Sequence, residues 1–414
     1  MSIFDTLESQ VRSYSRGWPT TFDRAVGSWM YDEEGKAYLD FFGGAGALNY
    51  GHNNPLFKQA LIDYIQGDRV THGLDMNTVA KREFLETFRD RILRPRDLDY
   101  KVQFPGPTGA NSVEAALKLA RKVTGRESII NFTNAFHGMT LGALSVTGNS
   151  MKRGGAGIPL VHATPMPYDN YLDGRYPDFL WFERLLEDSG SGLNEPAAVI
   201  VETVQGEGGL NVARFEWLKA LEELCRRHDM LLIVDDVQMG CGRTGPFFSF
   251  EPAGITPDIV TLSKSIGGYG LPMGLTLIKP EIDVWGPGEH NGTFRGNNLA
   301  FVTATKAIEH YWSDDVFETA TLEKGEQVNR ALDAIAARHD GASVRGRGLA
   351  KGLAFDQVEL AGKIARACFD RGLLLETAGP SDEVAKMLPA LTITPDELDQ
   401  GLAILSDAVD VVCS

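Results

Sequence analysis

The chain has 414 residues, 43% of them hydrophobic and 23% charged, the balance of a folded protein with more than one core. Forty basic against 56 acidic side chains leave a net charge of −16, which argues against nucleic acid or an anionic membrane as partner. No apolar run approaches the roughly 18 residues needed to span a bilayer. The first residues, MSIFDTLESQVRSYSRG, have no apolar core of secretory-signal type. Cys225, Cys241, Cys368 and Cys413 form no CxxC pair and no metal-ligand spacing with the eight histidines. A reduced cytoplasmic protein without structural metal is expected.

In chain order, residues 28–41 (SWMYDEEGKAYLDF) predict a hairpin turning at Asp32–Gly35. A glycine-rich stretch follows, and Pro55 opens a predicted helix whose apolar face includes Leu56, Ala60, Leu61 and Ile65. Residues 72–88 end as an amphipathic helix. KVQFPGPTGANSVEAALKLARKVTG reads as a strand, a turn and a helix starting near Gly109, where free N–H groups and the positive end of the helix dipole suit a phosphate. SIINF is a second strand, leading into NAFHGMTLGALSVTG. PAAVIVETVQGEGG (196–209) is a buried strand ending in two acids, Glu202 and Glu207.

Two further apolar runs, Leu231–Val234 and Ile259–Leu262, read as strands buried on both faces. The first ends in Asp235, and Lys264 follows shortly after the second. In open α/β sheets ligands bind at the carboxyl ends of the strands, so an acid and a lysine delivered there from two strands suggest a site. One chemistry that uses the pair is that of pyridoxal phosphate: a lysine amine bonds to the cofactor aldehyde while a carboxylate keeps the pyridine nitrogen protonated. Taken singly, either residue is as well explained as a solvated strand end. Beyond these, EHNGTFRGNN (289–298) precedes a helix near Leu299, residues 315–337 form a long helix, and VRGRGLAKGLAF (344–355) opens a C-terminal αβ unit ending in a helix near 395–411. Alternating strands and helices from 101 to about 280 predict an α/β fold with a doubly wound, mostly parallel sheet.

DDVQMGCGRTG followed by SKSIGGYGLPMG resembles the signature of the class III (ω-amino acid) aminotransferases, pyridoxal-phosphate enzymes of fold type I. The resemblance covers nearly the whole chain and implies a large cofactor domain (71–313) with a small α+β domain built from both ends (1–70 and 314–414). It implies that Lys264 is the Schiff-base lysine, Asp235 the pyridinium partner, Val237 a packing surface for the ring and Gln238 the contact to its hydroxyl. Phe136, followed by His137, matches the aromatic that stacks on the ring. Gly109 and Ala110 would bind the phosphate through backbone, although Thr108-Gly109-Ala110-Asn111 lacks one hydroxyl of the usual turn. Glu202 and Glu207 match a glutamate near the cofactor and one that gates a carboxylate-binding arginine. Thr293 would reach the phosphate of a neighbouring subunit, implying a homodimer or higher oligomer with shared sites, with Phe294 and Arg295 at the same interface.

One departure stands out: Lys386 occupies the place where many relatives have arginine. Arginine grips a carboxylate with a two-pronged fork, whereas lysine offers a point charge. Lys386 or another cation such as Arg295 is therefore the candidate holder of the acceptor carboxylate. RSYSRGWPTTFDRA, FPGPTGANSVEAALKLARK, NAFHGMT and EHNGTFRGNN are most similar to the branch of the family that acts on L-2,4-diaminobutyrate with 2-oxoglutarate in ectoine biosynthesis. An ω-aminotransferase for ornithine or a related diamino acid, and an aminomutase on the same scaffold, are the alternatives.

Overall fold

A computed structural model describes residues 2–174 and 178–414. Seven strands make one large sheet: β1 (Lys101–Gln103), β2 (Ile129–Phe132), β3 (Ala163–Met166), β4 (Ala198–Val201), β5 (Leu231–Asp235), β6 (Ile259–Leu262) and β7 (Leu275–Ile278). Their order is β1-β7-β6-β5-β4-β2-β3, with β7 antiparallel to both neighbours and every other pair parallel. The apolar runs of β4 to β6 follow from helices on both faces. Ile200, Ile233 and Ile259 pack with Val113, Ala116 and Leu117 of the helix Gly109–Thr124. Their neighbours Val201, Leu232, Val234 and Val260 point the other way, into the core that holds Trp217, Leu218 and Leu221 of the helix Phe215–Arg227.

Both chain ends pair with each other. Phe22–Val26, Trp29–Asp32 and Ala37–Asp40 form an antiparallel meander whose last strand takes Leu373–Leu374 beside it in parallel. The predicted turn is present, closed by a hydrogen bond from Gly35 N to Asp32 O of 3.0 Å. A second four-stranded sheet, all antiparallel, contains Ala342–Arg347, Ala350–Phe355, Val384–Met387 and Glu376–Ala378. The stretch expected to open an αβ unit is thus a hairpin first, and the helix Glu359–Asp370 comes after it. The long linking helix runs Val316–Ala336, and Pro395–Cys413 closes the chain.

The helix after Pro55 spans Pro55–Gln66; of the predicted face Ala60 and Leu61 are partly buried, but Leu56 and Ile65 are not. Phe57 is fully buried and Tyr64 partly so, whereas Leu56 and Ile65 are 38% and 56% exposed. Burial of an aromatic ring contributes more than burial of a leucine. Phe57 finds Tyr50 and Tyr311 at ring-centroid distances of 5.6 and 6.2 Å, and their positions turn the helix by about one residue. Among the described residues no helix is long and apolar enough to cross a membrane.

Candidate active site

The carboxyl ends of β2, β4, β5 and β6 converge on a cavity of about 340 Å³. Gly109, Ala110, Phe136, His137, Glu202, Glu207, Asp235, Val237, Gln238 and Lys264 all line it. Lys386 lies directly behind Glu207, whereas Thr293 and Arg295 are outside the cavity on the segment 289–298. On that segment Phe294 is 69% exposed and Arg295 donates to Asn291 Oδ1 at 3.1 Å.

Asp235, the last residue of β5, is held on every side. Its Oδ1 accepts from Val237 N at 3.1 Å and from Thr261 Oγ1 on β6 at 3.0 Å. Its Oδ2 lies 2.6 Å from Nδ1 of the buried His137. Burial lowers the His137 pKa, but the hydrogen bond and charge of Asp235 outweigh it and the net shift is upward. The other ring nitrogen, Nε2, is buried without a partner among the described residues. Asp236 points the opposite way, as strand alternation requires, into a buried contact with Ser249; burial raises its carboxyl to about 7.

Lys264 opens a short 3₁₀ turn after β6 with φ 54°, a left-handed conformation that costs a non-glycine residue about 1–2 kcal/mol. Such strain persists where the surroundings impose it, which is common at reactive groups. Burial pushes its pKa down, against the raising charges of Glu207, Glu376 and Asp235. A lysine so placed is nearer to the neutral, nucleophilic amine.

The helix Gly109–Thr124 starts at the cavity wall. Thr108 and Asn111 cap it reciprocally: Asn111 N donates to Thr108 Oγ1 at 3.4 Å and Thr108 N donates to Asn111 Oδ1 at 3.2 Å. A Cβ on Gly109 would lie 2.8 Å from Val237 Cγ1, so the backbone comes unusually close here. Phe136 N and Gly206 N donate to the two oxygens of Glu202 at 2.9 and 3.3 Å, and burial pushes that carboxyl up to about 7. Glu207 accepts from Gln238 Nε2 at 3.0 Å and from Lys386 Nζ at 2.7 Å. Burial acts to raise Glu207, but the ammonium charges of Lys386 and Lys264 hold it down at about 2.

Two neighbours carry no sequence motif. Glu376 lies 3.0 Å from Lys386 Nζ, and the Lys152 ammonium sits 4.2 Å from the centre of the Phe136 ring. A lysine one helical turn from nothing recognisable, and a glutamate in a three-residue strand, offered no spacing to read.

These residues fit pyridoxal phosphate. A buried lysine of lowered pKa, a carboxylate fixed at a second strand end, an apolar surface (Phe136, Val237) and a capped helix start together match the aldehyde, ring nitrogen, ring and phosphate of that group.

Comparison with known proteins agrees. The chain matches the class III aminotransferase family over residues 12–409. It is 70% identical over 412 residues to the diaminobutyrate–2-oxoglutarate transaminase of Streptomyces avermitilis, covering 99% of this chain and 97% of the relative. The transaminase of the same name from Nocardia farcinica is 68% identical, covering 100% and 95%. An ornithine aminotransferase of Toxoplasma gondii, with partial occupancy of pyridoxal phosphate at its active site, superposes with a TM-score of 0.85 at 26% identity, covering 99% and 93%. The large sheet, its helices and the cavity at its carboxyl edge are those of the fold type I aminotransferases, and the chain belongs to class III of that family.

Proposed function

We propose that the enzyme transfers the 4-amino group of L-2,4-diaminobutyrate to 2-oxoglutarate, giving L-aspartate 4-semialdehyde and L-glutamate, as a step towards ectoine. One observation carries the reading: relatives with that activity in their names match the chain end to end at up to 70% identity. The cofactor is pyridoxal phosphate, which when bound supplies an aldehyde for amines to exchange on and a ring that takes up the electrons left behind by a departing proton. Lys264 Nζ, shifted towards the free amine, carries that proton to and from the substrate. Asp235, pinned by Val237, Thr261 and His137, holds the proton on the ring nitrogen. Phe136 and Val237 would pack on the ring, Gln238 would reach its hydroxyl, and Gly109 and Ala110 N–H groups would hold the phosphate. Glu202, a buried acid beside Phe136, would lie next to the cofactor and fix the Phe136 backbone through its hydrogen bond. Glu207 faces the carboxylate end of the amino acid and oxo acid, with Lys386 behind it.

Diaminobutyrate is expected to outrun ornithine and lysine as donor, reacting at its 4-amine. A pocket discriminates one methylene by about 1–3 kcal/mol, so ornithine should be slow rather than silent. A donor panel with 2-oxoglutarate, products identified by mass, tests this. Faster semialdehyde formation from ornithine would move the assignment to an ornithine-type enzyme. Loss of diaminobutyrate without glutamate would point to an aminomutase.

The same reading makes the active unit a homodimer with shared sites, in the cytoplasm, with residues 1–70 and 314–414 as the small domain around 71–313. Thr293 lies outside its own cavity on an exposed segment, which supports a role across the interface. Mixing Thr293→Val and Lys264→Ala chains checks it. If Thr293 serves the partner, each hybrid dimer holds one site with both residues intact and activity returns. If it serves its own chain, no site is intact and activity stays low. The four cysteines, three of them buried and none in a disulfide, accord with a reducing compartment.

A further inference from the structure

We propose that Glu376 is a positioning residue for Lys386: it holds the lysine ammonium in place while Glu207 is exchanged for the carboxylate of the incoming oxo acid. This rests on the reading of the cavity as an amino-acid and oxo-acid site.

Lys386 is fully buried and its Nζ touches two carboxylates, Glu207 at 2.7 Å and Glu376 at 3.0 Å. The two acids are not equivalent. Glu376 and Lys386 are direct cross-strand partners in one antiparallel sheet, so their contact is built into a single rigid unit. Glu207 comes from the turn between two short strands, Val204–Gln205 and Asn211–Val212, beyond β4. Glu207 lines the cavity and keeps 18% of its side chain exposed, whereas Glu376 does not line it and keeps 6%. The ammonium donates to Glu207 at 2.7 Å and pairs with the Glu376 oxygen at 3.0 Å. An arriving anion can therefore replace Glu207 and cannot reach Glu376.

Charge decides why a second acid is needed. A buried ammonium left without a counter-charge costs several kcal/mol and sheds its proton instead. Glu376, fixed beside it by the sheet register, stays in contact with Lys386 while Glu207 is exchanged for the incoming carboxylate. The residue type fits the task. The three donors of an ammonium can serve carboxylates on separate sides. Removing Glu376 frees the lysine stem to move, so the ammonium is no longer held where the incoming carboxylate must meet it.

The test is calorimetric titration of the holoenzyme with glutarate, which has the two carboxylates of 2-oxoglutarate and no reactive carbonyl. Glu207→Gln should bind it about tenfold tighter, and Glu376→Gln about tenfold weaker, with Glu376→Asp in between. Simple charge removal predicts tighter binding in both, so opposite signs separate positioning from bulk electrostatics. Equal signs, or wild-type affinity in Glu376→Gln, would overturn the proposal. Should Glu376→Gln not fold, Glu376→Asp decides: weaker binding supports the proposal, unchanged or tighter binding sinks it. Glutarate is bound and not turned over, so the result stands whichever amine the enzyme prefers.

Discussion

Lys264→Ala is expected to abolish transamination while leaving the cofactor bound. The lysine is asked for two things, a covalent hold on the cofactor and the proton transfer at the substrate carbon. Loss of the proton transfer alone removes about 10²–10⁴-fold in rate. The backbone cost points the same way. Position 264 sits at φ 54°, which alanine tolerates no better than lysine, so the turn is kept by the strands around it. Two readouts check this. Stopped-flow single turnovers with donor alone should fall by at least about a hundredfold. Borohydride reduction followed by intact mass should fix the cofactor on the wild-type chain and leave Lys264→Ala unmodified. Near-normal turnover in the variant would remove Lys264 from the chemistry.

Asp235→Asn should keep the fold and the cofactor yet slow the proton-transfer step by about 10²–10³-fold, or about 3–4 kcal/mol. The amide can still accept from Val237 N and Thr261 Oγ1, so the geometry on the Oδ1 side survives. What disappears is the negative charge. His137 then loses the main charge that raises its pKa against burial. Because the deficit is electrostatic, melting temperature and cofactor affinity should change little while the single-turnover rate collapses. Equal loss of stability and rate would make Asp235 a structural residue.

The site was legible where its residues sit next to signals the sequence carries on its surface. Asp235 and Lys264 close two runs of buried strand, and a strand buried on both faces can be recognised by its unbroken apolar run. The helix start at Gly109 announces itself through the turn and the capping pair Thr108–Asn111. Glu376 had no such signal. Its significance comes from register with Lys386 in a sheet of short strands, and from a third partner, Glu207, 179 residues away from that lysine. Lys152 over Phe136 is a tertiary contact of the same kind. The face of the helix Pro55–Gln66 shows the limit of periodicity: two overlapping apolar stripes were present, and the aromatic partners Tyr50 and Tyr311 selected the one with Phe57. Local pattern names the element; packing chooses its orientation.

The most direct measurement follows one nitrogen atom. Diaminobutyrate labelled with heavy nitrogen at its 4-amine is incubated with the holoenzyme and unlabelled 2-oxoglutarate, and the products are read by mass. A γ-selective aminotransferase puts the label into glutamate, in step with formation of aspartate 4-semialdehyde. Label that stays on the four-carbon skeleton, or glutamate that forms unlabelled from the 2-amine, would contradict the assignment.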